Sequence, residues 1–308
     1  MNSCFNELGL ETRLSISKYK IITTGSITEI YESENGYVRE MNRSNDTERI
    51  EIGINGMTEK ERIEKDMSNL KTSLNRSQKH LKRLINANIG AWGTEKAKFI
   101  TLTFKSNIKN HETANPEFKK FIKRLNYYVF KDKKARLKYT CCVERQTRGA
   151  LHYHVVFYNL PYVKQKELLK VWQKGKYGGS LCVNAIDDVD NVGVYVAKYI
   201  TKEINDMKMQ FLAENSLEFR EGLKSVNNEH LINKFSKLSA KKLYFSSRGL
   251  IQPEVEYTND YDKINMLLNK ASTDDYQVDD FHFKNTFDGN EVHYIQIKPK
   301  LNINNEDH

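Results

Sequence analysis

Two histidines separated by one residue, His152 and His154, lie in an apolar stretch that is typical of a β-strand. Because side chains alternate between the two faces of a strand, both imidazoles are expected on the same face. A three-residue turn at 147–149, with Gly149 in the left-handed position that such loops favour, places Glu144 opposite His152. Two imidazoles and a carboxylate with open coordination positions suit a divalent cation that also holds a substrate oxygen. The alternative is that the histidines only pack within the strand.

A second stretch places tyrosines and lysines together on one side of a predicted helix. Four of these residues follow the spacing i, i+3, i+4, i+7 and share one face: Tyr195, Lys198, Tyr199 and Lys202. The simpler interpretation is an amphipathic helix whose lysines are solvated. A phenol, with a pKa of about 10, is a weak nucleophile at neutral pH, but nearby cations favour the phenolate and neutralise an attacked phosphate. The face therefore predicts a nucleophile for phosphoryl transfer.

These stretches resemble the motifs of a known superfamily. Residues 152–154 resemble the His-hydrophobe-His motif of the HUH endonucleases, and residues 195–199 resemble the two-tyrosine motif of rolling-circle replication initiators, including those of small single-stranded DNA phages. Residues 99–104 are similar to the family's first motif, a core strand. The histidines precede the tyrosines, as in replication initiators and related transposases, whereas conjugative relaxases carry the tyrosine first. The resemblance covers residues from about 96 to 205 and resumes at 241–250, which resembles a segment of related plasmid and phage proteins.

The resemblance implies a metal-dependent enzyme that initiates rolling-circle replication of a plasmid or phage. It implies that Mg²⁺ or Mn²⁺ is held by His152, His154 and Glu144, which falls where the third ligand lies in several such initiators. Tyr195 would attack single-stranded DNA at the replication origin, leaving a 5′-phosphotyrosine and a free 3′-hydroxyl. Host helicase and polymerase are the further partners that this activity implies.

The resemblance also implies roles for the rest of the tyrosine helix. Tyr199 resembles the second tyrosine, which alternates with the first to cut and close the circle. Lys198 and Lys202 would neutralise charge that develops on the phosphate.

The chain is basic, with a net charge of +9 and a pI of about 9.1, which favours a polyanionic partner. Charge alone does not separate DNA from RNA or from an anionic membrane. The predicted DNA contacts are the basic residues Arg148, Lys241, Lys242 and Arg248. The sequence shows no apolar run of membrane-spanning length and no secretory signal, and its four cysteines form no zinc-binding or Cys-x-x-Cys spacing. We therefore expect a cytoplasmic protein without a membrane partner.

The fold class expected is α+β. Residues 96–205 read as strand-helix-strand-strand-helix-strand, the split β-α-β pattern of an antiparallel sheet, with helices on one face and an open face for ligands. Residues 1–95 are expected to form a β-element, with a hairpin turn at 34–36, and a long helix over 58–87. Residues 206–308 are expected to be an extension packed on the core.

Two other functions fit the residues less well. A non-catalytic protein could bind an origin or an RNA by stacking bases on an open sheet, as RRM domains do, without a metal or a tyrosine adduct. A transposase of the same superfamily would share the chemistry. The metal-ligand pattern speaks against the first alternative, and the second tyrosine and the chain length speak against the second.

Overall fold

Contacts in the computed structural model divide the chain into two units. The structure describes residues 3–5, 11–40, 59–93, 97–146, 149–184, 191–198, 244–284 and 289–300. Unit 1 joins residues 1–56 to residues 252–308, and unit 2 spans residues 57–251. The boundaries of these two units differ from those of the expected segments 1–95, 96–205 and 206–308, because strands from the two ends of the chain pair with each other.

The described strands and helices are numbered here in chain order. The strands are β1 (Ser3–Phe5), β2 (Glu11–Thr24), β3 (Ile27–Glu40), β4 (Lys98–Phe104), β5 (Tyr139–Arg145), β6 (Leu151–Phe157), β7 (Gly178–Asn184), β8 (Tyr244–Ser246), β9 (Glu254–Thr258), β10 (Tyr276–Lys284) and β11 (Glu291–Pro299). The helices are α1 (Glu59–Asn88), α2 (His111–Phe130), α3 (Gln165–Gln173), α4 (192–198) and α5 (Tyr261–Ala271).

Unit 2 contains the sheet that the sequence predicted. Its strands lie in the order β7-β4-β6-β5-β8, and every described pairing is antiparallel. The first four strands, with α2 and α3 as their connections, form the split β-α-β arrangement, so the predicted α+β fold is confirmed. β8 adds a further strand beside β5 and brings residues 244–246 to the edge of the sheet.

One face of this sheet packs against α2 and α3. The core between that face and the two helices is formed by apolar and aromatic side chains, and it includes Phe104 and Tyr153 of the sheet and Phe118, Phe121 and Trp172 of the helices. Aromatic rings meet mostly edge to face, as at Phe104 and Trp172, whose centroids are 5.4 Å apart. This core fixes β4 and β6, the two central strands, so that their other face can carry polar side chains.

The opposite face of the sheet was expected to be open, but α1 and α4 pack against it. Leu81, Leu84 and Ile85 of α1 follow the spacing i, i+3, i+4 and are buried against side chains of the sheet and of α4. Val192 and Val196 give α4 its own buried side. The long helix is therefore part of unit 2 and covers the face that bears the histidine pair.

Helix α2 begins earlier than its sequence suggests. Pro116 is most favourable in the first turn of a helix, with Asn115 as the cap, yet α2 starts at His111 and Pro116 lies inside it. Asn110 is the cap, because its Oδ1 accepts a hydrogen bond of 2.8 Å from the amide of Thr113. The prediction of a cap at Asn115 was wrong by about one helical turn.

Unit 1 is a six-stranded sheet in the order β1-β2-β3-β11-β10, with β9 also paired to β2. In the sequence, Gly289 and Asn290 between the apolar stretches 281–284 and 292–297 predict a hairpin, and the pairing of β10 with β11 confirms it. The predicted hairpin turn at 34–36 is wrong, because the chain turns at Gly25 and residues 33–36 bulge out of the pairing with β2. Asn290 holds this bulge, donating to Ser33 Oγ and accepting from the amide of Asn35.

The burial of α1 can be tested on unit 2 alone, because both tryptophans of the chain, Trp92 and Trp172, lie in it. Replacing the fully buried Ile85 by Ala removes contacts with the sheet, so Ile85→Ala should lower the free energy of unfolding by about 2–5 kcal/mol. The measurement is urea unfolding followed by tryptophan fluorescence. Lys79→Ala, at an exposed position of the same helix, should change it by less than about 0.5 kcal/mol; equal effects of the two variants would contradict a docked α1.

Candidate active site

The hairpin of β5 and β6 places the predicted metal ligands in the expected register. Glu144 is paired directly with His152, and Cys142 with His154. Gly149 has a φ of 85°, the left-handed conformation anticipated for the turn. The amide of Gln146 donates to the carbonyl of Ala150 over 2.9 Å and closes the loop. Local turn geometry thus brings the carboxylate and both imidazoles to one face.

His154 makes polar contacts through both ring nitrogens. Nδ1 lies 3.1 Å from Oγ1 of Thr101, and Nε2 lies 2.6 Å from Oε2 of Glu144. If the threonine hydroxyl donates to Nδ1, then Nε2–H donates to the carboxylate. If Nδ1–H donates to the hydroxyl, the Nε2 lone pair faces the carboxylate, and a proton or a metal ion is needed between them. The first arrangement needs no cation and the second does, so the contact is compatible with a cation site without requiring one.

The pair is almost completely removed from water. His154 is 4% exposed, and Glu144 and His152 are each 8% exposed. A carboxylate in such surroundings needs a cation or hydrogen-bond donors to offset its lost hydration. A chain that keeps these groups on an otherwise apolar face retains them at a cost in stability, which favours a functional role.

Phe99 connects the histidine to the tyrosine helix. Its ring stacks on His154 with centroids 5.7 Å apart and planes 9° apart, and it also packs edge to face on Tyr195, with centroids 5.6 Å apart. The ring of Tyr195 is thus one aromatic side chain away from His154. Two stretches about 40 residues apart in the sequence meet in space, as the sequence analysis required.

Lys198 approaches Tyr195 from the same helix. Its Nζ lies 3.7 Å from the centroid of the Tyr195 ring, a close cation–π contact at i, i+3 spacing. Lys198 itself is exposed, and Tyr195 is half-buried. The ammonium therefore stands beside the phenol, at the side of the helix that solvent and a substrate can reach.

Two neighbouring tyrosines of the sheet are unsuited to act as nucleophiles. Tyr153 and Tyr158 are buried, and burial raises the pKa of both phenols well above the ordinary value. Tyr158 is also hydrogen-bonded to Oγ1 of Thr140 over 2.7 Å. Both are packing residues, whereas Tyr195 and Tyr244 are half-buried on the histidine-bearing side. The hydroxyl of Tyr244 lies 2.7 Å from Nδ1 of His80, and Tyr195 is the one that contacts Phe99.

The position of α4 is set by two asparagines. Asn191 caps the helix, its Oδ1 accepting from the amide of Val194 over 3.0 Å. Asn86 of α1 donates to that same Oδ1 over 2.9 Å and accepts from the amide of Gly193 over 2.8 Å. Both asparagines are buried, and their amides tie the first turn of α4, and so Tyr195, to α1.

Gly193 allows this close approach of the two helices. A Cβ at this position would lie 2.3 Å from the carbonyl oxygen of Lys82 and 2.6 Å from Oδ1 of Asn86. These distances are far below van der Waals contact, so any side chain here would push α4 away from α1. A glycine two residues before the tyrosine is therefore a packing requirement of the site.

The structure places some predicted site residues and leaves others outside its described part. Arg148, Tyr199, Lys202, Lys241 and Lys242 lie outside the described residues. Arg248 is described and exposed, and its carbonyl accepts from Lys138 Nζ over 2.8 Å. Sequence patterns did not mark Phe99, Thr101, Asn86 or Asn191 as site residues. Only Asn191 carried a signal, as an N-cap residue directly before an apolar helical run.

His152 belongs to the predicted ligand set by its register, since it is paired directly with Glu144. Among the described residues, the three-residue group whose ligand atoms lie within 4.8 Å of one another is Asp280, His282 and His293 in unit 1. At the active site, Glu144 and His154 already meet, and a cation held by all three groups would need the His152 side chain to rotate toward that pair.

The sequence comparisons agree with the geometry of unit 2. Residues 97–204 match the model of a family of replication-associated proteins, the ORF2 type. The matched segment contains β4, the hairpin with both histidines, and Tyr195. The family resemblance inferred from the motifs is confirmed over this segment, and the match supports a role in DNA replication. No curated protein and no solved structure matches the chain. None of the described helices is long and apolar enough to cross a membrane.

The link between α1 and α4 can be tested by removing its central side chain. Asn86→Ala leaves the buried amide of Gly193 without its acceptor, so the free energy of unfolding of unit 2 should fall by about 1–3 kcal/mol. Urea unfolding followed by tryptophan fluorescence measures it. Asn75→Ala, at an exposed position of α1, is the matched control. Hydrogen exchange should also become faster at the amides of residues 193–195 in Asn86→Ala; unchanged exchange there would contradict the anchoring of α4.

Proposed function

We propose that this chain, whose residues 97–204 match the family of replication-associated proteins, initiates rolling-circle replication by nicking and rejoining single-stranded DNA. The observation that carries the proposal is the arrangement around Phe99. This ring stacks on His154, which meets Glu144, and packs edge to face on Tyr195. The pair proposed to bind the cation and the tyrosine proposed as the nucleophile thus share one neighbour, which supports their acting on the same phosphodiester.

In the proposed reaction, the phenol oxygen of Tyr195 attacks the phosphorus of the scissile phosphodiester. The new bond joins Tyr195 to the 5′ phosphate, the bond to the 3′ oxygen breaks, and the phenol proton is transferred in net terms to that oxygen. The free 3′-hydroxyl serves as a primer. Since the phosphotyrosine is also an ester, the reverse attack by a 3′-hydroxyl rejoins the strand without ATP.

Several residues of the chain prepare this attack. Asn86 and Asn191 hold the helix that carries Tyr195, and Phe99 limits the movement of its ring. Lys198, whose ammonium lies beside the ring, favours negative charge on the phenol oxygen and on the attacked phosphate. Tyr199, four residues farther on in the sequence, serves in this proposal as the second nucleophile, and Lys202 as a second cation.

Glu144, His152 and His154 would hold Mg²⁺ or Mn²⁺. The donor set, two imidazoles and one carboxylate on one face, suits a transition-metal ion such as Mn²⁺ better than Mg²⁺, because imidazole suits transition metals and Mg²⁺ prefers oxygen ligands. When bound, the cation supplies Lewis-acid polarisation of the phosphate. Thr101, hydrogen-bonded to Nδ1 of His154, orients the imidazole ring so that Nε2 points to the side where Glu144 lies and where the metal ion would bind.

Metal dependence gives the first test of this function. EDTA should abolish cleavage of origin-bearing single-stranded DNA, and added Mn²⁺ should restore it. Glu144→Gln keeps the size of the side chain but removes its charge, so it should weaken Mn²⁺ binding at least about tenfold, as measured by electron paramagnetic resonance titration. His111→Ala, outside the site, is the control. Full cleavage activity after EDTA treatment would sink the metal assignment while leaving the tyrosine chemistry open.

The tyrosines give the second test. Tyr195→Phe removes only the hydroxyl, so the packing on Phe99 survives and the covalent protein–DNA band in a denaturing gel should disappear. Tyr199→Phe should still form this adduct but should fail to release closed circles in a strand-transfer assay. Tyr162→Phe, at a position 77% exposed outside the site, should behave like the wild type. An adduct that persists in the Tyr195→Phe/Tyr199→Phe double variant would remove both tyrosines from the mechanism, and a wild type that binds DNA without any adduct would favour the binding-only alternative.

A further inference from the structure

Unit 1 contains a cluster of metal-binding side chains that the proposed nicking reaction does not use. Asp280, His282 and His293 each offer one ligand atom, and these three atoms lie within 4.8 Å of one another. The cluster spans the hairpin of β10 and β11, where His282 and His293 are directly opposite each other. Asp280 and His282 are exposed, and His293 is half-buried, so an ion from solvent can reach all three.

The two imidazoles are held face to face. Their centroids are 4.1 Å apart and their planes differ by 7°. The Nε2 atom of His293 lies 2.6 Å from Oδ1 of Asp280. Tetrahedral zinc sites have ligand distances of about 2.0–2.2 Å, which correspond to separations of roughly 3.3–3.6 Å between ligand atoms. The three ligand atoms lie within 4.8 Å of one another. Because the lone pair of an imidazole lies in the plane of its ring, binding one ion also requires the two rings to splay from their parallel stack by rotation about their χ angles, for which the exposed His282 has the freedom.

A further carboxylate supports the half-buried histidine. Glu32 of β3 is paired directly with His293 in the register, and its Oε2 lies 3.5 Å from Nδ1 of that ring. Lys18 forms a 2.7 Å ion pair with Glu32, and this contact lowers the pKa of the carboxyl group. Histidines that bind metals commonly direct their second nitrogen at such a carboxylate, which orients the ring and leaves the first nitrogen for the metal.

We propose that Asp280, His282 and His293 form a site for a divalent transition-metal ion, with Glu32 orienting His293. Two imidazoles favour Zn²⁺, Ni²⁺ or Cu²⁺ over Mg²⁺ or Ca²⁺, which prefer oxygen ligands. With three protein ligands, a fourth position is left for water. A bound ion would cross-link β10, the edge strand of the sheet, to β11, and would stabilise the end of unit 1 where the chain pairs β11 with β3.

The same residues also allow a simpler arrangement that contains no metal ion. A protonated His293 could donate from Nε2 to Asp280 and from Nδ1 to Glu32, forming an ion-pair clamp that needs no metal. This alternative gives no role to the stacked His282 as a ligand. The two arrangements therefore differ in whether His282 affects metal affinity.

The experiment is a Zn²⁺ titration of the full-length His152→Ala/His154→Ala variant, which lacks the imidazoles proposed for the active site. Isothermal calorimetry should show one equivalent of Zn²⁺ bound, and Co²⁺ should give the visible absorption of a four-coordinate site. Adding His282→Ala or His293→Ala should weaken Zn²⁺ affinity at least about tenfold, whereas adding His111→Ala should leave it unchanged. In the same background, Zn²⁺ should slow hydrogen exchange of the amides in residues 276–299.

The exchange pattern without metal serves as the check on folding, since each variant should match its parent when Zn²⁺ is absent. A variant that does not match is replaced by His282→Asn, which retains a polar side chain of similar size. Zn²⁺ affinity that is independent of both His282 and His293, or no saturable binding, would establish the ion-pair clamp alone and overturn the metal site. Neither result would bear on the proposed nicking activity, which depends on residues of unit 2.

Discussion

The contact of Glu144 with His154 is the constraint on which the rest of unit 2 depends. A carboxylate and an imidazole 2.6 Å apart, nearly sealed from water, lose much of their hydration, and their mutual attraction offsets that loss only if the geometry is held closely. The hairpin register and the hydroxyl of Thr101 provide this geometry on the sheet. Helix α1 and helix α4 then exclude water, which strengthens every electrostatic interaction at the site. The exclusion of water by these two helices therefore both removes the hydration of the Glu144–His154 pair and strengthens its electrostatic interactions.

The two faces of the sheet in unit 2 pack into two different cores. The core with α2 and α3 combines many aliphatic side chains with several aromatic rings, and it packs on β4 and β6 in the centre of the sheet. The other core is smaller and mixes apolar side chains with Asn86 and the histidine pair. Because side chains alternate along β6, Tyr153 contributes to the first core while His152 and His154 reach the second. A shift of one residue in the register would exchange these faces and remove the site.

Local patterns were enough to predict the hairpin, the order of the elements in unit 2 and the expected face of Glu144. These three features depend on period-2 alternation, on a glycine in the turn and on helical spacing, and each of these signals extends over only a few residues. The docking of α1 was not predictable in this way, because Asn86 and Asn191 are 105 residues apart in the chain and the N-cap signal at Asn191 does not indicate which residue it contacts. The bulge at 33–36 was missed for the same reason. A Glu-Asn-Gly sequence favours a tight turn locally, and Asn290, 255 residues after Asn35, decides otherwise.

The described geometry also indicates how much of the chain the site requires. The segment that matches the replication-associated family begins at residue 97, yet α1 lies before that point. This helix supplies Leu81, Leu84 and Ile85 to the core beneath α4, and Asn86 to the cap of the helix that carries Tyr195. A hydrogen bond between two buried amides is directional, so it fixes the rotation of α4 in a way that apolar packing alone does not. The position of the proposed nucleophile therefore depends on a helix outside the family segment, and the functional unit is unit 2 with α1 included.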